Sequence, residues 1–236
     1  MTTITSLGSR FTALVIGASG GIGSAVAEQL EADPNCARVI RLSRRTTPDF
    51  DLEDEGAIAG AAATIAETTP RLDLVFNATG ALFIHDVGPE KTIRALDPQA
   101  MAQQFAINAI GPALLIKHFS PLLPKNHRSL FGSITARVGS IGDNRLGGWI
   151  SYRAAKAAQN QIVRTAAIEL ARTRPLAVLA ALHPGTVATS LSDPFAAGHD
   201  RLSPEKSAAM MLAVLDGLAP DRSGGFFAYD GSRIEW

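Results

Sequence analysis

The chain has 236 residues, with 22 Lys and Arg against 22 Asp and Glu, 46% hydrophobic residues and 19% charged ones. That balance excludes a disordered chain and supplies no net field for nucleic acid, an anionic membrane or acidic partners, so a partner must be recognised at a local site. Cys36 is the single cysteine, which excludes an internal disulfide and a thiolate cluster for zinc or iron-sulfur. Residues 1–11 lack the charged start and apolar stretch of a signal peptide, and no later apolar run is free enough of polar residues to span a bilayer. The expectation is a soluble cytoplasmic protein.

In chain order, an apolar run over 11–16 ends in Gly17, and a helical pattern begins near Gly23 with Ala25, Val26 and Leu30 on one face. A second strand over 38–42 gives way to polar Ser43, Arg44 and Arg45. An alanine-rich helix over 55–67 precedes a strand over 72–76, and a helix over 99–119 precedes a strand over 129–134. The alternation continues with a helix over 152–171, a strand over 176–182, a helix over 204–218 and a last strand over 226–229. It predicts an α/β fold: a Rossmann-type doubly wound parallel sheet in three layers, with helices on both faces. No repeat, low-complexity segment or linker divides residues 1–236, so one domain is expected. The longest irregular stretch, 185–202, is a candidate lid.

The turn Gly17-Ala18-Ser19-Gly20-Gly21-Ile22-Gly23 lies between the first strand and the first helix. A pyrophosphate placed there meets exposed N–H groups and the positive helix end, and glycines permit positive φ and close backbone approach. The same turn without a ligand is a tight strand-to-helix connection, so later residues must decide. Tyr152 and Lys156 stand four apart at the start of a helix and share one face. A tyrosine near its usual pKa of about 10 is a poor acid or base at neutral pH, and a neighbouring ammonium stabilises its phenolate. Isolated Tyr-x-x-x-Lys spacings are common on helix surfaces. Here the pair follows the glycine turn and Asn77 along the chain.

The Gly-x-x-x-Gly-x-Gly spacing, Asn77-Ala78-Thr79-Gly80 and the Tyr152, Lys156 pair resemble the classical short-chain dehydrogenase/reductase family. The segment from Arg137 to Trp149 and the ending from Tyr229 to Trp236 resemble its C-factor-like branch, which holds small carbonyl reductases and a signalling protein. The resemblance implies a nicotinamide cofactor bound by Gly17, Ser19, Gly20, Gly21, Ile22 and Gly23, with Asp51 and Leu52 at the adenine. It implies further contacts from Asn77, Ala78, Thr79 and Gly80, and from Pro184, Gly185, Val187 and Thr189 near the carboxamide. Where the family's NAD-selecting acid falls, this chain has Ser43, followed by Arg44 and Arg45. An arginine there pairs bidentately with a 2′-phosphate, so NADP(H) is expected over NAD(H), with Arg41 or Arg45 assisting. The family also assigns a proton relay to an asparagine matched by Asn108, and has Lys156 hold the nicotinamide ribose.

One departure bears on the chemistry. The family polarises its substrate carbonyl with a serine, usually thirteen positions before the tyrosine, and that count lands on Gly139. Counted from the strand end, the place falls on Ala136. Two hydroxyls stand nearby, Ser140 at minus twelve and Thr135 at the strand end, and loss of such a donor costs about 3 kcal/mol of transition-state stabilisation. The expected reaction is hydride transfer between NADP(H) and a small carbonyl or alcohol. Tyr152 serves as general acid and base, Lys156 supplies its charge, Asn108 aids proton delivery and Ser140 polarises the carbonyl. Trp149, Phe195 and the 185–202 segment are expected to shape the pocket. The rival is a nucleotide-binding sensor with little turnover. A hydrolase built on Ser19 or His183 lacks a Gly-x-Ser-x-Gly elbow, and His183 reads as a packed strand-end residue. Alanine-rich faces on 99–119 and 152–171 suggest a homo-oligomer.

Overall fold

The computed structural model describes residues 2–85, 87–189 and 201–236. Six strands form one sheet: β1 (Phe11–Ile16), β2 (Cys36–Leu42), β3 (Leu74–Asn77), β4 (Ser129–Ile134), β5 (Ala177–His183) and β6 (Phe226–Ala228). Their order is β2-β1-β3-β4-β5-β6 and every pair is parallel. Between them run α1 (Gly21–Glu31), α2 (Glu55–Thr68), α3 (Pro98–Phe105), α4 (Gly111–Phe119), α5 (Ile150–Ala171) and α6 (Pro204–Gly217). This is the doubly wound architecture that the alternation predicted.

The period of two along β1 explains the layers. Phe11, Ala13 and Val15 pack toward α1 and α6 with Val26, Leu30, Met211 and Leu215. Leu14 and Ile16 point the other way, toward Ile58 of α2, Leu115 of α4 and Val163 of α5. Both faces are covered, so the strands are continuous in apolar residues, as buried parallel strands must be. Winding reverses between β1 and β3, and a crevice opens beyond the carboxyl ends of those two strands.

The stretch expected as one helix over 99–119 contains a defect. α3 passes through a π turn, Ala106–Ile110, into α4, and Gly111 N donates to Ala106 O in the wider register. Pro112 has no N–H for the Asn108 carbonyl, so the α register is broken at that carbonyl. The C-terminal segment folds back along β6: Ile234 N donates to Phe226 O, Trp236 stacks on Phe226 with ring centroids 5.8 Å apart, and Trp236 O accepts from Gly142 N. The two segments that resemble the C-factor-like branch therefore touch. Among the described residues no helix is long and apolar enough to cross a membrane.

Candidate active site

The glycine turn leaves β1 at Gly17 and enters α1 at Gly21. Two of its glycines answer to packing. A Cβ on Gly23 would lie 2.1 Å from Gly17 O, and one on Gly17, at φ +81°, would lie 3.0 Å from the Ala78 carbonyl carbon. Gly20 is exposed, and its side is open apart from Gly17 O at 3.5 Å. No acidic side chain occupies the first turn of α1, and its N-cap, Gly20, offers no side-chain bond, so that turn's N–H groups keep their positive end. Gly21 instead faces Thr189, whose methyl would sit 2.9 Å from an added Cβ, while Ile22 packs on the core beside α1.

A cleft of about 270 Å³ opens from this turn. Gly17, Ser19, Gly20, Ser43, Arg44, Asp51, Leu52, Ala78, Thr79 and Gly80 line it, together with Phe50, Glu53, Ala81 and Ile107. The expected residues for the cofactor's adenosine side and Ala78 to Gly80 thus share one space, with buried Ser43 and exposed Arg44 in its lining, whereas Gly21, Ile22, Gly23, Asn77, Tyr152, Lys156, Pro184, Gly185, Val187 and Thr189 do not line it. Arg45 is exposed and does not line the cleft. Arg41 is corrected as a helper: its guanidinium is held by Glu31 at the end of α1, with Nε–Oε1 2.8 Å and Nη2–Oε2 2.7 Å. Asn77 ties the sheet edge, donating to Ser133 Oγ at 3.0 Å and accepting from Thr79 N and Oγ1 at 3.0 and 2.7 Å.

Tyr152 and Lys156 lie in the first two turns of α5, 8% and 2% exposed, with Nζ 5.7 Å from the phenol ring centroid. The start of α5 is fixed from outside the helix. Trp149, its N-cap, offers no side-chain cap, and the Glu90 carboxylate accepts from Ser151 N at 3.2 Å and from the Ser151 hydroxyl. The Trp149 ring meets Tyr152 edge-on at 6.2 Å. Burial pushes the Lys156 ammonium down to about 7 and pushes the Tyr152 phenol up. In the protein by itself, desolvation governs both groups and opposes the phenolate-stabilising effect expected from charge alone.

Asn108, fully buried in the π turn, donates to Ala81 O and Gln104 Oε1, both at 2.7 Å, and accepts from Ala81 N at 3.1 Å. A Cβ on Gly80 would stand 3.1 Å from both Asn108 Oδ1 and Lys156 Nζ, which places both groups behind a glycine that lines the cleft.

The missing serine is explained by packing. A Cβ on Gly139 would lie 2.8 Å from the Lys156 carbonyl carbon, so position 139 excludes any side chain. Arg137–Gly139 form a single 3-10 turn whose first N–H donates to His183 Nδ1 at 3.3 Å. His183 is a strand-end residue at β5, as expected; burial and the Arg137 charge lower it to about 4. Ser140 follows that turn, 2% exposed, with Oγ accepting from Asp143 N at 3.1 Å. Thr135 is equally buried, and its hydroxyl has no partner among the described residues.

Pro184 O accepts from Ser207 Oγ at 2.7 Å, and Gly185, at φ +79°, has the Tyr229 ring 2.9 Å from where a Cβ would be. Val187 pairs with Leu202, which brings the two ends of the 185–202 segment together. Phe195 and residues 190–200 lie outside the described residues. Sequence reasoning missed Gln104 and Glu90, which reach the site from distant positions, and Gln159, which accepts from Lys156 Nζ at 2.9 Å. The last was findable, since it stands three residues from Lys156 on the same helical face.

Comparison with known proteins identifies the family and the fold. The family model for short chain dehydrogenases matches residues 11–199. A 1-hydroxy-2-glutathionyl-2-methyl-3-butene dehydrogenase from Rhodococcus sp. (strain AD45) is 33% identical over 234 residues, covering 95% of this chain and 99% of that protein. The C-signal of Myxococcus xanthus is 38% identical over 141 residues, covering 60% of this chain and 81% of that one. An NADPH-bound carbonyl reductase from chicken fatty liver superposes with a TM-score of 0.83 at 26% identity, over 98% of this chain and 97% of the other. This chain belongs to the short-chain dehydrogenase/reductase family and is an oxidoreductase of that nicotinamide-dependent family.

Proposed function

We propose that the protein is an NADP(H)-dependent oxidoreductase that interconverts a small carbonyl compound and its alcohol. The observation that carries this reading is that Lys156 Nζ, 5.7 Å from the buried Tyr152 ring, stands next to Gly80, and Gly80 lines the same cleft as Arg44 and the glycine turn. The cleft suits the cofactor's adenosine half: it has open glycine backbone at the α1 N-terminus, no carboxylate at position 43 and an exposed guanidinium at 44. Gly17, Ser19, Gly20 and Gly21 would hold the pyrophosphate, Ser43 and Arg44 the 2′-phosphate, and Asp51 and Leu52 the adenine. Ala78, Thr79, Gly80, Pro184, Gly185, Val187 and Thr189 would hold the nicotinamide half, with Asn77 bracing Thr79 from beneath. The kinship with an NADPH-bound carbonyl reductase supports the same reading.

When bound, the cofactor supplies or accepts a hydride at the carbonyl carbon. Tyr152 Oη gives its proton to the carbonyl oxygen in reduction and takes it back in oxidation. Lys156 carries the charge that steadies the phenolate left behind, against the desolvation that raises the phenol. Asn108, held rigid by Ala81 and Gln104, orders the proton route beside Lys156. Ser140 takes the place of the family's serine and polarises the carbonyl. A second copy of the chain packs against α4 and α5, where Ala113, Ile162, Ala166 and Leu170 share an open groove with the polar Lys117, Glu169 and Arg174.

Ala136, in the family serine's place, favours one second reading: a cofactor-binding signalling protein with little turnover, in keeping with the likeness to the C-signal. Titration with each nucleotide and a carbonyl panel separates the two. The enzyme reading predicts tighter NADPH than NADH binding, a gap narrowed about tenfold or more by Arg44→Ala, and NADPH oxidation with at least one carbonyl. Equal affinities would remove the NADP preference, and tight binding without turnover would favour the signalling protein.

A further inference from the structure

Gln159 is fully buried on α5, one turn beyond Lys156, and its side-chain amide is committed on every side. Nε2 donates to Ser133 Oγ at 3.1 Å and to Ile134 O at 2.9 Å, which uses both its hydrogens. Oε1 is left to accept from Lys156 Nζ at 2.9 Å. The amide has one workable orientation, because the flipped one would set an N–H group against the ammonium and a carbonyl against the Ile134 carbonyl. Ser133 Oγ also accepts from Asn77 Nδ2 at 3.0 Å, so a hydrogen-bonded chain crosses from β3 through β4 to α5.

We infer that Gln159 is a positioning residue for Lys156: the buried chain Asn77, Ser133, Gln159 fixes where the lysine nitrogen sits between Tyr152 and Gly80. This inference rests on the reading of Lys156 as the charge beside Tyr152. A lysine stem has four rotatable bonds, and ordering it costs rotamer freedom. The Gln159 carbonyl orders it before any ligand arrives. The remaining neighbours supply no counter-charge. Asn108 Oδ1 from the π turn and the Gly80 backbone are neutral, Gly139 of the 3-10 turn meets only the Lys156 backbone and stem, and Tyr152 holds its proton. The carbonyl of Gln159 is therefore the dipole that favours the ammonium over the neutral amine in an otherwise desolvating place.

The test reads the lysine directly, in cofactor-free protein made with isotope-labelled lysine. Lys156 is one of five lysines, and its NMR signal is assigned by its loss in Lys156→Met. In Gln159→Met, which keeps the side-chain length and loses the acceptor, the titration midpoint of Lys156 should fall by about one pH unit relative to the parent. Ser133→Ala, which deletes one hydroxyl and frees the Gln159 amide on one side, should move it the same way by less, and decides alone if Gln159→Met does not fold. A midpoint unmoved in the folded variants overturns the inference, as a residue that merely fills space would leave it unchanged. Turnover is scored separately. A parent that turns over none of the carbonyls overturns the catalytic reading, whereas a midpoint unmoved in the variants of a parent that does turn over overturns this inference alone.

Discussion

Position 139 is where counting back from Tyr152 puts the family's serine, and the packing of the Arg137–Gly139 turn on α5 leaves room there for a hydrogen only. Gly139→Ser should therefore lower stability by about 1–3 kcal/mol in a denaturant melt, since the new Cβ meets helix backbone rather than a side chain that can swing aside. On the proposed reading the next residue, Ser140, polarises the carbonyl. Ser140→Ala should reduce kcat about a hundredfold with KM little changed, while Thr135→Val should retain turnover. The reverse pattern would transfer the role to Thr135, whose buried hydroxyl has no partner among the described residues. At this scale the sequence was informative where the geometry is local. Tyr152 and Lys156 share a helical face by spacing, and Ser43 and Arg44 follow directly from a strand end. It was silent where a partner comes from elsewhere, as with Arg41, taken up by Glu31, and Asn77, whose amide is spent on Ser133 and Thr79.

Strands and helices were legible because period two and period 3.6 are written in apolar residues, and all six strands fall within three residues of their expected bounds. The π turn was not, since periodicity sees a continuous apolar face from 99 to 119 and passes over a single widened turn. Pro112 is its one local signal. The start of α5 was equally hidden: its cap is Glu90, brought in by the loop after β3. Glu90→Ala should cost about 1–2 kcal/mol of stability, seen as a lower melting temperature, because Ser151 N and the positive end of α5 would lose their carboxylate. A melting curve equal to the parent's would mean that solvent caps α5 as well as Glu90 does. Loosening at this end also reaches the proposed proton donor, since Tyr152 sits in the same first turn.

Across the whole molecule, Lys156 links folding to pH. Its folded pKa of about 7 lies below the ordinary value of 10.5, so between these values the unfolded chain holds the extra proton. The cost of burying Lys156 is therefore fully present below about pH 7 and is relieved as the pH rises toward 10.5. Lys156→Met should accordingly raise the melting temperature most at about pH 6 to 7, with the gain shrinking by about pH 9. A gain independent of pH would show that the lysine's charge is not what the fold resists. The groove on α4 and α5 makes a second whole-molecule prediction: Ala166→Arg, set in that groove, should shift the mass measured by light scattering from a dimer or tetramer to a smaller species. The fold's outline was open to the sequence, whereas this surface reads from sequence only as alanine-rich helix, the same on an outer face as in a core.

The most direct test of the account is NADPH oxidation over a panel of aldehydes, ketones and quinones, run in parallel on the parent and on Tyr152→Phe. The parent should turn over at least one carbonyl, and the variant should be slower by about 10²- to 10⁴-fold with NADPH binding retained. Tight NADPH binding with no carbonyl turned over by the parent, or a variant as fast as the parent, would contradict it.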